Sequence, residues 1–258
     1  MFWVSDGRSL FLSILLVVLL RYAVIAGLFY YPFYVRFRKR LLPGKLQPAF
    51  PRPKDYLREI GYSLVTVLLF TAVGWIVFGT SFRSLTMLYT DIHEFGIAYF
   101  ILSIPAMLVI HDTYFYWMHR AIHHPRLFPV VHRVHHLSTN PSPWAAFAFH
   151  PAEAVLEALI IALLPLVMPV HPLALSLFLL VMMIYNAYGH LGWELYPRSF
   201  ARGPVGKWIN TSVSHNQHHA WAKGNYGLYF LWWDRWMGTL REDYGEALTQ
   251  QLPRITEK

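Results

Sequence analysis

The chain has 258 residues, of which 55% are hydrophobic and only 14% charged, with a mean hydropathy of +0.34. That is too apolar for an ordinary soluble domain and indicates a membrane protein. The formal net charge is +8, but the basic residues flank apolar segments instead of forming an aromatic-interleaved stripe, so no nucleic-acid partner is expected; the absence of cysteine excludes disulfides, thiolate-bound haem, cysteine-bound iron–sulfur clusters and cysteine-type zinc sites.

Residues 9–31 form an almost unbroken apolar run, interrupted by Arg21 and long enough to cross a ~30 Å hydrocarbon core. The run is too long for a signal-peptide core and lacks a small-x-small cleavage site, so it is read as a retained span, with Arg21 snorkelling or facing other helices. It ends in Arg36, Arg38, Lys39, Arg40 and Lys45, followed by a linker containing Pro43, Pro48, Pro51 and Pro53. The positive-inside rule places this loop in the cytoplasm and the N-terminus on the other side. Residues 60–79 are the second span, 80–94 a short outer loop, and 95–110 a third span running back inward.

The third apolar segment continues through residues 111–124 with no glycine or proline until Pro125, which predicts one long helix projecting from the membrane into the cytoplasm. Residues 111–136 hold seven of the chain's 14 histidines. At ~100° per residue Asp112, His119 and His123 share a face, whereas His111 and His124 point away from it. Asp112 is placed to accept a hydrogen bond from the outer ring nitrogen of a metal-bound histidine, with a structural carboxylate as the competing reading. His132, His135 and His136 form an H-x-x-H-H group, a spacing that turns imidazoles toward one point.

Residues 137–150, rich in proline, serine and aromatics, read as a loop or short interfacial helix. Residues 152–168 and 173–188 are two apolar arms separated by Pro169, His171 and Pro172. They form a hairpin that enters the bilayer and returns, bringing His190 to the side that holds residues 119–136. Beyond Gly192 the chain is aromatic-rich, suited to a membrane interface, and carries a second H-x-x-H-H in His215, His218 and His219. The charged residues after Arg241 read as a tail.

Nine histidines therefore meet on one face: His119, His123, His132, His135, His136, His190, His215, His218 and His219. One metal seldom takes more than six ligands, so nine imidazoles point to two metals. Imidazole suits iron, zinc, copper or nickel alike. No H-E-x-x-H zincin motif is present, since His93-Glu94 lacks its second histidine, nor is there the paired E-x-x-H of carboxylate-bridged di-iron bundles. Isolated histidines such as His93 and His171 read as structural. Two other classes, a membrane metal transporter and a bis-histidine haem protein, also hold histidines. A transporter would place them near the bilayer midplane, and a haem protein would show a Soret band.

The boxes HRAIH (119–123), HRVHH (132–136), HPAE (150–153), HLG (190–192) and HNQHH (215–219), with NYG and WDRWMGT, resemble the sterol desaturase and fatty acid hydroxylase superfamily over residues 95–240. The resemblance implies an integral membrane di-iron oxygenase with its active site on the cytoplasmic face. Such an enzyme uses O2 and external electrons to hydroxylate or desaturate an unactivated C–H position of a membrane lipid, sterol-like or fatty-acyl, in lipid biosynthesis; carotenoid or ether-lipid hydroxylation is the alternative of the same chemistry. It also implies two iron ions as cofactor, replaceable by zinc in isolated protein, and an electron donor of the cytochrome, ferredoxin or flavin-reductase kind. Related hydroxylases often carry a further histidine four residues before the His190 position. Asn186 stands there, placed to hold a metal-bound water in place of direct coordination. His111, His124 and His150 are candidates for supporting or proton-handling roles. The expected architecture is all-α: a bundle of about three spans plus a membrane hairpin, with a cytoplasmic histidine-rich helical cap. Its parts are spans and basic linker (1–94), catalytic domain (95–240) and tail (241–258).

Overall fold

A computed structural model describes residues 6–251, and among these the chain is helical with only isolated bridge pairs. Helix α1 (Gly7–Tyr30) starts at Asp6, whose side chain accepts the Ser9 amide at 2.7 Å, and passes directly into a π-helical turn at Tyr31–Arg36. Helix α2 (Pro53–Gly79) opens with proline at its first position, where the missing N–H costs nothing, and Asp55 folds back onto the Arg52 amide at 3.0 Å. Helix α3 (Gly96–Ile122) is one rod of 27 residues that carries the apolar run straight into the first histidines, despite Pro105 within it. A short turn of helix at Phe128–Val131 then leads to α4 (Arg133–His136), the first H-x-x-H-H box.

The hairpin consists of α5 (Pro151–Val167) and α6 (Pro172–Gly189). Each arm starts with the dipeptide His-Pro: His150 Nδ1 accepts the Ala152 amide at 3.2 Å and His171 Nδ1 accepts the Leu173 amide at 3.1 Å. Both histidines are therefore helix caps. At 1.5 Å per residue the arms are about 26 Å long. Their tip is stitched to the loop joining α2 to α3: the Met87 amide donates to Pro165 O (2.7 Å), the Val170 amide to Met87 O (3.0 Å) and the Tyr89 amide to Val170 O (3.2 Å). The tip of the hairpin thus lies at the α2–α3 loop, at the end of the bundle away from His190. Gly7–Arg36, Pro53–Gly79, Gly96–Ile122 and Pro172–Gly189 are each long and apolar enough to cross a membrane. The protein is a membrane protein with nine of its 14 histidines gathered at one end of the bundle.

The segment before α5 is not interfacial. Its short 3-10 helix Pro143–Phe147 is driven into the bundle, with Ala145, Ala146 and Phe147 fully buried and Phe147 stacked on Tyr22 at 5.5 Å and edge-on to Phe70 at 5.1 Å. Backbone polarity would forbid this without partners. Tyr22 and Ser63 hydroxyls supply them, both donating to Trp144 O at 3.0 Å.

Helix α7 (Ser212–Trp221), capped by Thr211, carries the second H-x-x-H-H box, and a strap of residues 224–231 leads to α8 (Trp232–Trp236). Two buried carboxylates hold the strap. Asp112 Oδ1 on α3 accepts the Tyr229 and Phe230 amides at 2.7 and 3.2 Å, and Asp234 on α8 accepts the Tyr226 and Gly227 amides at 2.9 and 2.7 Å. Gly224 has φ +75, and a Cβ there would stand 2.7 Å from Thr239 O, so glycine is required where the strap leaves α7.

Candidate metal centre

Four elements converge on the site. The end of α3 supplies His119 and His123, α4 with its cap supplies His132, His135 and His136, the end of α6 supplies His190, and α7 supplies His215, His218 and His219. Their ring nitrogens separate into two groups: His119, His123, His132, His136 and His218 in one, and His135, His190, His215 and His219 in the other, the ligand atoms of each group lying within 4.8 Å of one another. All nine residues named from the sequence are thus brought together. Eight are buried, and His123 is half-buried.

Helical phase explains the split. In each box the first and last histidines, four apart, share a face, and the middle one lies toward the adjacent face. On α4 the outer pair His132 and His136 joins the five-member group and His135 crosses to the other. On α7 the assignment is reversed: the outer pair His215 and His219 joins the four-member group, and His218 crosses back. Each box therefore ties both groups together.

The outer nitrogens of most of these rings are fixed. His119 Nδ1 donates to Tyr226 O (2.9 Å), His218 Nδ1 to Gly224 O (2.7 Å), His190 Nδ1 to Asn186 O (2.7 Å) and His219 Nδ1 to Ser138 O (2.9 Å). His132 Nδ1 donates to the buried Glu153 carboxylate at 2.6 Å. A carbonyl only accepts, so Nδ1 carries the proton in each ring bonded to one, and Nε2 presents a lone pair inward. The Nε2 atoms face one another: those of His219 and His190 are 3.1 Å apart, His215 and His190 3.2 Å, His119 and His132 3.1 Å, and His123 and His218 3.2 Å. Facing lone pairs at this range repel unless a cation lies between them. With metal–nitrogen bonds of about 2.0–2.1 Å, such separations are the edges of a coordination polyhedron. The donor set therefore fits two metal ions held by neutral imidazole.

Electrostatics agree. Burial pushes His190 and His218 down to about 4, and burial followed by the charge of neighbouring imidazoles holds His132, His135, His136, His215 and His219 well below the ordinary range. The rings stay neutral at physiological pH, the form a metal requires.

Asp112 lies elsewhere. It shares the face of His119 but sits seven residues earlier, about 10 Å along the helix, where it meets the strap's amides before any ring nitrogen can reach it. The carboxylate that supports a histidine is Glu153, in the HPAE box, whose one signal in sequence was the motif itself. Asn186 acts on His190 through its backbone oxygen, while its side-chain amide donates to Ala146 O at 2.8 Å and so anchors the buried 143–147 turn. His111 and His124 belong to neither group. His111 is buried against the Tyr229 hydroxyl at 2.9 Å, and exposed His124 accepts the Arg126 amide at 3.3 Å. The carbonyls of Tyr226, Gly224 and Ser138 carry no signature in sequence, because backbone acceptors are placed only by the fold. The basic linker lies against this end as well, with Gln47 donating to Thr139 O at 2.9 Å and to Asn216 Oδ1 at 3.1 Å.

A helical membrane bundle closed at one end by two convergent imidazole groups, each arranged so that it could hold a metal ion, defines a membrane protein of the histidine-box class. The fatty acid hydroxylase family model matches residues 104–239, and the chain belongs to that family, within the superfamily of sterol desaturases and fatty acid hydroxylases. Among curated relatives, lathosterol oxidase of Rattus norvegicus is 33% identical over 207 residues, covering 78% of this chain and 67% of that protein. Lathosterol oxidase of Homo sapiens is 32% identical over 187 residues (71% and 60%), and a Delta(7)-sterol 5(6)-desaturase of Schizosaccharomyces pombe 31% over 176 (68% and 53%). The chain thus spans between about half and two thirds of the length of these relatives. No solved structure matches it.

Proposed function

We propose that the protein is an O2-dependent di-iron oxidoreductase that desaturates or hydroxylates an unactivated C–H position of a sterol-like membrane lipid. The observation that carries this reading is the pair of adjoining imidazole groups with inward lone pairs and outer nitrogens locked by backbone carbonyls and Glu153. The names of the relatives favour a sterol-like substrate and desaturation. Two redox-active metals supplied with O2 and external electrons give the oxidising power that such a C–H bond demands.

The chain's own residues do the rest. The nine histidines would hold the two irons, with zinc able to replace them in isolated protein. Glu153 and the strap carbonyls keep the rings oriented and their tautomers fixed. The site sits where the apolar helices end, so a lipid can enter from the bilayer with its reactive carbon near the interface. The basic linker beside the cap favours the cytoplasmic face for this end and an acidic one-electron donor, a cytochrome, ferredoxin or flavin reductase, as partner.

Purified protein should carry near two irons per chain, show no Soret band, and convert lathosterol, as first probe, only when O2 and a reducing system are both present. One zinc or none, with full activity retained in His135→Ala, would overturn the reading.

A further inference from the structure

The side chains of protein that surrender an electron most readily are cysteine thiol, indole and phenol, and this chain has no cysteine. Tyrosine and tryptophan next to a strongly oxidising centre therefore decide where stray oxidising equivalents go. One line of them begins at the five-histidine group. The Tyr226 ring lies 5.0 Å from that of His123 and 5.7 Å from those of His119 and His218. Tyr116, fully buried, follows at 6.3 Å, Trp233 stacks on Tyr116 at 5.8 Å with 20° between planes, and Trp236 is 5.5 Å further on. Trp236 is 60% exposed, and Trp117, 5.6 Å from Trp233, is 44% exposed, so the line ends at the surface. Among the described residues, the aromatic ring packed on His135 of the four-histidine group is Phe149 at 5.1 Å, followed by Phe147, and neither is oxidised under such conditions.

A phenol loses its electron easily only if its proton has somewhere to go. Arg120 Nη1 donates to the Tyr116 oxygen at 3.1 Å, which leaves that hydroxyl to donate to Thr239 Oγ1 at 2.9 Å; Thr239 in turn donates to the buried Asp234 carboxylate at 2.7 Å. A proton can move from Tyr116 to Thr239 while the Thr239 proton moves to Asp234, and return by the same path.

We propose that Tyr226, Tyr116, Trp233 and Trp236 form a one-electron conduit that drains oxidising equivalents from the five-histidine group to the surface when no lipid is in place. Electrons pass inward from Trp236 through Trp233 and Tyr116 to Tyr226 and the centre; each Tyr116 oxidation is accompanied by the proton shift to Asp234, and Tyr226, partly exposed, gives its phenolic proton to water on oxidation and regains one on reduction. The indolyl radical left at Trp236 is reduced by a small thiol in solution, two thiols giving one disulfide, two protons and two electrons over two events. The inference rests on the oxidising centre proposed above. Its function is protection: without it the oxidation falls on the histidines and on Tyr226.

Two measurements on the full-length protein in detergent test it. In the first, a soluble photo-oxidant generates a hole at the exposed tryptophans by flash–quench, whatever metal is bound. The wild type should show tryptophanyl absorption giving way to tyrosyl absorption, and Trp233→Phe should lose the tyrosyl phase. An unchanged tyrosyl phase in Trp233→Phe, with Trp236→Phe also unchanged, overturns the conduit. In the second, iron-loaded protein receives electrons and O2 without lipid and is frozen for electron paramagnetic resonance and mass spectrometry. The wild type should show an aromatic radical, and Trp233→Phe should lose the tryptophanyl component and gain oxidation at His119, His123 and Tyr226, with turnover on lipid unchanged. Absence of any aromatic radical in protein that turns over lipid normally also overturns it. Failure to bind iron or turn over lipid refutes the di-iron reading separately, and the flash–quench result then decides whether the residues conduct.

Discussion

His135 and His136 are neighbours in the chain yet serve different groups: His136 Nε2 lies 3.1 Å from His132 Nε2, and His135 Nε2 lies 3.4 Å from His190 Nε2. One helical turn thus feeds both groups, and α7 does the same with His218 and His219. The consequence is that removing either neighbour should damage a different half of the site. His135→Ala, which leaves three imidazoles, is expected to lose metal from the four-histidine group and approach one metal per chain by elemental analysis, whereas His136→Ala is expected only to weaken metal binding in the five-histidine group. Because the latter keeps four imidazoles, its remaining affinity should be the higher of the two in a chelator competition. Loss of both metals in parallel in both variants would show that the groups are not separable.

Glu153 accepts the outer N–H of His132 with both side chains buried. Glu153→Gln keeps an acceptor at that oxygen, whereas Glu153→Ala leaves a buried N–H without a partner. Supporting residues of this kind change metal affinity or activity by about 10–100-fold. Glu153→Ala should lose affinity or activity by that factor and Glu153→Gln by much less. Equal loss in both would assign the effect to the carboxylate charge, not to ring orientation.

Asp234 holds the strap by accepting the Tyr226 and Gly227 amides and the Thr239 hydroxyl. Asp234→Ala leaves these groups buried and unpaired, at about 1–3 kcal/mol each. It also frees the carbonyls of Gly224 and Tyr226, which orient His218 and His119. A thermal midpoint lowered by many degrees together with reduced metal content is expected. A lowered midpoint with full metal content would separate the strap from the site.

The histidines also set a pH dependence. In metal-free protein, burial holds His190 and His218 at about 4, below the ordinary value of about 6.5 for the unfolded chain. Between those values the unfolded chain binds protons that the folded chain refuses, so stability falls as pH falls through the window. The thermal midpoint of chelated protein should drop progressively from about pH 6.5 to about pH 4, and metal-loaded protein, whose lone pairs are occupied, should resist to lower pH. A flat midpoint for the chelated protein across that interval would contradict the burial of neutral imidazoles.

Much of this protein was written along the chain. Unbroken apolar length specifies the spans because a bilayer permits no other use of such segments, and the period of 3.6 residues sets His119 with His123 and each H-x-x-H-H box on its helix whatever the rest of the molecule does. The paired apolar arms around Pro169 and Pro172 likewise foretell the return of His190. Other features depend on long-range geometry that no local period encodes. Which member of a box joins which group depends on how α4 and α7 face each other. Asp112 sits on the right helical face but two turns too far along the axis, so it meets the strap's amides, while Glu153 on α5 arrives beside His132. The carbonyls of Ser138, Gly224 and Tyr226 belong to no residue type at all. Local chemistry, in short, specifies how many imidazoles are available and on which helices; only packing between helices distant in sequence decides which lone pairs face one another, because ring nitrogens about 3 Å apart require the positions of four separate elements to be fixed at once.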